Sequence, residues 1–109
     1  MDINISVVIP IYNEEEVLSC LYKRVVKVLE QIGMFYEVIF VDDGSSDNSL
    51  KIMKEFNKKN PRVKIVSFSR NFGHQVAVMT GLHYVCGDCV IVMDGDLQDP
   101  PEVIIEMIK

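Results

Sequence analysis

Val90-Ile91-Val92-Met93-Asp94-Gly95-Asp96-Leu97-Gln98-Asp99-Pro100-Pro101-Glu102 is the stretch on which the reading of this chain turns. Val90 to Met93 is apolar without alternation and rich in branched side chains, which predicts a buried strand. The run stops at two carboxylates, Asp94 and Asp96, separated by a single glycine. In extended chain, residues i and i+2 face the same side, with Cα atoms roughly 6.5–7 Å apart. Oxygens reaching inward from that separation can share one hard cation at about 2.0–2.2 Å. Gly95 leaves room for a ligand or a neighbouring backbone. An Asp-Gly-Asp turn can equally be solvated loop. What favours a site is its place at the carboxyl end of a strand, where open α/β sheets bind ligands.

Working backwards from that strand, the other elements alternate regularly. Ile3 to Ile11 predicts a first strand, with Pro10 near its end because proline cannot donate to a central ladder. Asn13 is the expected N-cap of a following helix, and Glu14, Glu15 and Glu16 suit its positive end. Val17, Leu21, Val25, Val28 and Ile32 form one apolar helix face, closed by Gly33. Val38 to Val41 reads as a second strand, followed by a helix from an N-cap at Ser46 to about Lys58, broken at Asn60-Pro61. Val63 to Phe68 is the third strand. A third helix from His74 to Val85 places Ala77, Gly81 and Tyr84 on one face. Pro101 fits the first position of a fourth helix over Glu102–Lys109. This β-α-β-α-β-α-β-α order implies an α/β, Rossmann-like, mainly parallel sheet with right-handed crossovers and helices on both faces.

Composition narrows the function. The chain has 109 residues, one domain or part of one, and a 49% hydrophobic content ample for a core. A formal charge of −5 argues against nucleic acid or an anionic membrane surface as the main partner. No apolar run reaches the ~18 residues of a membrane span, and the N-terminus lacks a signal-peptide pattern, so the default location is cytoplasmic. Cys86-Gly87-Asp88-Cys89 spells C-x-x-C. Redox pairs of that kind work at a helix N-terminus, whereas this one falls between a helix end, with Gly87 as the expected C-cap, and a strand start. A structural zinc would need two more ligands. The pair is expected to be two ordinary packed cysteines.

The common phosphate cradles are missing: no G-x-G-x-x-G follows the first strand, and no G-x-x-x-x-G-K-[ST] occurs. Instead each strand ends in polar residues: Tyr12-Asn13-Glu14, Asp42-Asp43, Ser69-Arg70-Asn71 and Asp94-Gly95-Asp96. Whatever the strand order, all four clusters should gather on one rim and form a site.

At this point the chain resembles a known family. Val8-Ile9-Pro10-x-Tyr12-Asn13-Glu14, Val41-Asp42-Asp43-Gly44-Ser45-x-Asp47 and Met93 to Glu102 look like the family 2 glycosyltransferases of GT-A fold. Ser69-Arg70-Asn71-Phe72-Gly73-His74-Gln75, with Asp94-x-Asp96-Leu97-Gln98-Asp99-Pro100-Pro101, is similar to the branch of dolichyl-phosphate mannose synthases and bacterial polyprenyl-phosphate sugar transferases. The resemblance covers the whole chain. It implies that Pro10, Tyr12, Asn13 and Glu14 border a nucleotide base pocket and that Asp42 and Asp43 contact base or ribose. It implies further that Asp94 and Asp96, with Gln98, hold Mg²⁺ or Mn²⁺ against the diphosphate, beside Gly95. Arg70 would flank the nucleotide, where its fork suits a phosphate, unless it pairs with an aspartate. His74 and His83 are read as packing or surface residues, and Ser45 to Asp47 as capping residues.

The implied activity is transfer of a sugar from a UDP- or GDP-linked donor, with inversion, to a polyprenyl (lipid) phosphate in cell wall or glycan biosynthesis. The acceptor pocket, any catalytic base and any membrane helices would lie beyond Lys109, so residues 1–109 are expected to be the nucleotide-sugar-binding part of a longer domain, inactive alone. Membrane attachment at the cytoplasmic face would come through those segments, and an exposed apolar edge would favour a homo-oligomer. Two other readings are weighed beside this one. A non-catalytic nucleotide-sugar-binding module would carry the same residues. A receiver-type signalling domain would have its acidic pair after the first strand, whereas Asp42-Asp43 follows the second.

Overall fold

A computed structural model describes residues 3–95 and 100–102 of the chain. Among these residues the elements run β1 (Ile5–Ile11), α1 (Leu18–Ile32), β2 (Tyr36–Asp42), α2 (Ser49–Lys59), β3 (Val63–Ser67), α3 (His74–His83) and β4 (Cys89–Val92). The strands form one parallel sheet in the order β3-β2-β1-β4. Alternate residues of β1 and β2 serve two cores. Ile5, Val7, Ile9 and Ile11, with Tyr36, Val38 and Phe40, pack under Leu18, Leu21, Val25, Val28 and Leu29 of α1 and Met53 and Phe56 of α2. Val8, Ile39 and Val41 face Ala77 of α3 on the other side. Helices therefore cover both faces, and the α/β, Rossmann-like expectation is met. The small residues of α3 let it lie close, since a Cβ at Gly81 would sit 2.4 Å from Cγ1 of Val8.

Several local expectations change. β4 is not buried on both faces. It ends the strand order, and while Ile91 is buried, Val90 and Val92 are 39% and 40% exposed. The reason is lateral: α3 packs on β1 and β2, so among the described residues it does not cover the outer strand on that side. Tyr84 does not join the α3 face with Ala77 and Gly81 but is exposed, because the helix has ended at His83. Helix α1 starts at Leu18, not directly after Asn13, so Glu14 to Glu16 precede its first turn. Helix α2 is preceded by Asn48 rather than Ser46, and the Ser49 N–H donates to the Asp47 carboxylate at 2.9 Å. Beyond Glu102, the expected fourth helix lies outside the described residues.

The amino end of the sheet is held by a buried carboxylate that the sequence reading did not single out. Glu37 accepts hydrogen bonds from Ser6 Oγ (2.5 Å), the Cys86 N–H (2.7 Å) and Lys64 Nζ (2.5 Å). Ser6 Oγ in turn accepts the Gly87 N–H at 2.8 Å, which pins the α3–β4 connection to β1 and β2. Burial pushes the Glu37 carboxyl up, but its hydrogen bonds from Lys64, Ser6 and Cys86 outweigh that and leave it below the usual glutamate range.

Candidate active site

The strand order creates the site. β2 and β3 lie to one side of β1 and β4 to the other, so the chain's direction of travel reverses between β1 and β4. At such a switch point the two loops leaving the carboxyl ends diverge and leave a crevice. Pairing of β1 with β4 ends at Val8 and Val92, and the Val8 carbonyl accepts the Met93 N–H at 3.0 Å. Two residues on, Pro10 faces the same side, past the last pair, where its missing N–H forfeits no ladder bond.

A cavity of about 420 Å³ opens there. The end of β1 supplies Pro10, Ile11, Tyr12 and Glu14, and the end of β4 supplies Asp94 and Gly95. Asp43 enters from the end of β2, and Asn71, Gly73 and His74 come from the loop and first residue of α3. Gly95 is buried against β1: a Cβ there would meet Ile11 Cδ1 at 2.5 Å and the Pro10 carbonyl oxygen at 3.0 Å. The close approach expected of this glycine is therefore to the end of the Ile11 side chain and to the Pro10 carbonyl.

Of the residues singled out from sequence, Pro10, Tyr12, Glu14, Asp43, Asp94 and Gly95 share this cavity. Asn13 does not line it. In a left-handed conformation (φ 52°), it turns its side chain to the β2–α2 loop, where Oδ1 accepts from the N–H groups of Ser46 (2.8 Å) and Asp47 (3.3 Å). The loops are zipped reciprocally, since the N–H groups of Asn13 and Glu14 donate to Ser45 Oγ and Ser49 Oγ, each at 3.0 Å. Asn13 is thus a loop tie and not the N-cap of α1. Asp42 is buried behind the rim, accepting from the Ser45 N–H (3.2 Å) and Ser67 Oγ (3.4 Å). Arg70 is exposed, its guanidinium carbon 4.8 Å from the centre of the Phe72 ring. Asp96 and Gln98 lie outside the described residues.

Two relationships were not legible beforehand. Asp43 accepts the N–H groups of Phe72 (2.7 Å) and Gly73 (3.1 Å), so one strand-end carboxylate shapes the loop that starts α3. His74, read from sequence as packing or surface, puts Nε2 2.9 Å from Oδ1 of Asp94 at the cavity rim. The Ser69 to Gln75 segment was the available signal, but its spacing alone does not say which strand end it meets. The C-x-x-C pair sits at the amino end of β4, across the sheet from the cavity, with Cys86 exposed and Cys89 half-buried, both free thiols. Cys86 is therefore not the packed residue expected. Gly87 does not cap α3; it abuts Ser6, whose Oγ would lie 2.6 Å from an added Cβ.

The rim is acidic, with Glu14, Asp43 and Asp94 on one cavity. Asp94, its side chain 46% exposed, offers hard carboxylate oxygens of the kind divalent cations take. Among the described residues no three His, Cys, Asp or Glu side chains converge to hold a metal by themselves.

The sequence profile of glycosyl transferase family 2 matches residues 6–109. The chain belongs to glycosyl transferase family 2. Within that family, the protein named Uncharacterized glycosyltransferase YkcC of Bacillus subtilis (strain 168) is 50% identical over 107 residues, 98% of this chain and 33% of that protein. The undecaprenyl-phosphate 4-deoxy-4-formamido-L-arabinose transferase of Proteus mirabilis is 48% identical over 101 residues, 92% of this chain and 31% of that one. The chain thus spans about a third of the length of the curated relatives it matches. Among solved structures, the mannosyltransferase PcManGT from Pyrobaculum calidifontis, in complex with GDP-Man and Mn²⁺, superposes with a TM-score of 0.77 at 20% identity, over 96% of this chain and 31% of that one. S. aureus TarS in complex with UDP-GlcNAc gives 0.73 at 27% identity, over 86% and 27%. The sheet is accordingly that of a GT-A glycosyltransferase. Among the described residues, no helix of this family 2 chain is long and apolar enough to cross a membrane.

Proposed function

We propose that residues 1–109 form the donor side of a transferase that moves a sugar from a UDP- or GDP-linked donor to a polyprenyl phosphate, with inversion at the anomeric carbon. The observation that carries this reading is the switch-point cavity, where the polar ends of β1 and β4 meet with Asp94 at the rim. Support for the donor class comes from the ligands of the structural relatives, and support for the acceptor from the undecaprenyl-phosphate relatives.

Pro10 and Tyr12 offer an apolar wall and a half-exposed ring against which a base can lie, while Glu14 and Asp43 can accept hydrogen bonds from base or ribose. Asp94, with Asp96 and Gln98 of the same segment, would hold Mg²⁺ or Mn²⁺. The cation, when bound, supplies the positive charge that an acidic rim lacks and that a departing diphosphate requires. A lipid phosphate is already an anionic nucleophile, so on this reading the chain need supply no general base. The same proposal places the reaction at the cytoplasmic face of a membrane, and the exposed valines of β4 favour a homo-oligomer.

Calorimetric titration of UDP and GDP, with Mn²⁺ and in EDTA, tests the donor side. Metal-dependent binding, lost in Asp96→Asn, is expected; equal affinity in EDTA would contradict the metal role. Transfer of radiolabelled sugar to polyprenyl phosphate by the full-length protein tests the acceptor. Donor binding without transfer would favour a non-catalytic binding module.

A further inference from the structure

The rim residue Asp94 does not stand alone. His74 is the first residue of α3, 20 positions away in sequence, and its Nε2 lies 2.9 Å from Asp94 Oδ1. An ionised carboxylate only accepts, so the hydrogen in this contact sits on Nε2. A carboxylate has about four lone-pair sites, and the donor on Oδ1 occupies one of them; among the described residues no side chain or N–H donates to Oδ2. The end of α3 that carries His74 is itself anchored. Asp43 holds the N–H groups of Phe72 and Gly73, and the Asp43 N–H is tied to the Ile11 carbonyl at 2.8 Å. Gly73, at φ 104°, takes a backbone conformation that a residue with Cβ rarely adopts, so the chain turns into α3 at a set angle. The ends of β2 and β4 are thereby linked through two carboxylates and one imidazole, and the end of β2 is joined to β1 through main chain.

We propose that His74 is the positioning residue of Asp94: it holds one carboxylate oxygen so that the other faces a divalent cation, and Asp43 holds the loop that presents His74. The inference rests on the donor-site reading above and deepens it. Outer-shell donors to a ligating carboxylate orient it before the ion arrives and remove the rotamer freedom that binding would otherwise have to restrict. The exposed position of His74 means that its replacement leaves both cores intact.

The test measures Mn²⁺ affinity by electron paramagnetic resonance, and UDP and GDP affinity by calorimetry with Mn²⁺ and in EDTA, on the full chain. His74→Ala should weaken Mn²⁺ binding about tenfold or more, the usual cost of losing such a partner, and by a clearly larger factor than it weakens nucleotide binding in EDTA. His74→Gln, whose amide can donate from a similar distance, should restore most of the loss. Asp43→Ala should weaken Mn²⁺ binding in the parent chain but add less than about twofold on top of His74→Ala, because residues acting through one another are non-additive. If Asp94→Asn abolishes metal binding while His74→Ala leaves it at the parental value, this inference is overturned and the donor-site reading stands. If the unmodified protein binds nucleotide equally with and without metal, the metal part of that reading falls and takes this inference with it. An additive loss in the Asp43→Ala, His74→Ala double variant would remove Asp43 from the chain of contacts.

Discussion

Gly44 and Arg70 touch through their backbones: a Cβ built on Gly44 would lie 2.2 Å from the Arg70 carbonyl carbon and 2.5 Å from the Asn71 nitrogen. Gly44 also has φ 72°, so two independent reasons exclude a side chain there. The loop after β2 and the loop after β3 can share the rim only because this position is bare.

Gly44→Ala is therefore expected to destabilise the protein by at least about 2 kcal/mol, combining left-handed strain with a backbone clash. The obstacle is main chain, which cannot rotate aside. Urea unfolding monitored by circular dichroism gives the number. A change near zero would mean that the two loops separate freely.

Gly95→Ala acts at the other side of the crevice. The added methyl would meet the Pro10 carbonyl oxygen at 3.0 Å and the end of Ile11 at 2.5 Å, and Ile11 is fully buried. Overpacking of this kind costs about 1–3 kcal/mol. Because the methyl pushes β4's end away from β1, nucleotide affinity should fall alongside stability, and calorimetry on the folded variant at low temperature separates the two effects.

Glu37 makes stability depend on pH. Its folded carboxyl lies below the usual range: burial opposes ionisation, and the hydrogen bonds from Lys64, Ser6 and Cys86 more than compensate. The stabilisation is then present above the ordinary glutamate value of about 4.3 and lost as pH falls through the lower folded value. Glu37→Gln should cost about 1–3 kcal/mol at neutral pH. The gap between variant and parent should narrow in acid, as urea midpoints at pH 7 and pH 3 would reveal.

Replacing Cys86 and Cys89 together by Ser should leave nucleotide affinity within a few-fold and stability within about 1 kcal/mol. Both thiols are free and lie at the end of β4 away from the cavity. Thermal melts and nucleotide titration check this. A stoichiometric zinc ion in the purified protein would contradict it.

What sequence determined here is local. The i, i+4, i+7 spacing of Leu21, Val25 and Val28 reports one buried helix face, and strand ends rich in carboxylates mark the rim, because burial and turn chemistry leave their period in the chain. The motif segments likewise carried the family resemblance. Sheet neighbours are another matter, since which strand pairs with which is decided between residues far apart in sequence. The order β3-β2-β1-β4, and with it the crevice between β1 and β4, comes from tertiary structure alone. So does the half-exposure of Val90 and Val92, because an apolar run looks the same in a central strand and in one that a helix leaves uncovered. His74 became a partner of Asp94, and Asn13 a tie between loops, by the same logic. A polar side chain within reach of several strand ends takes the partner that packing brings to it.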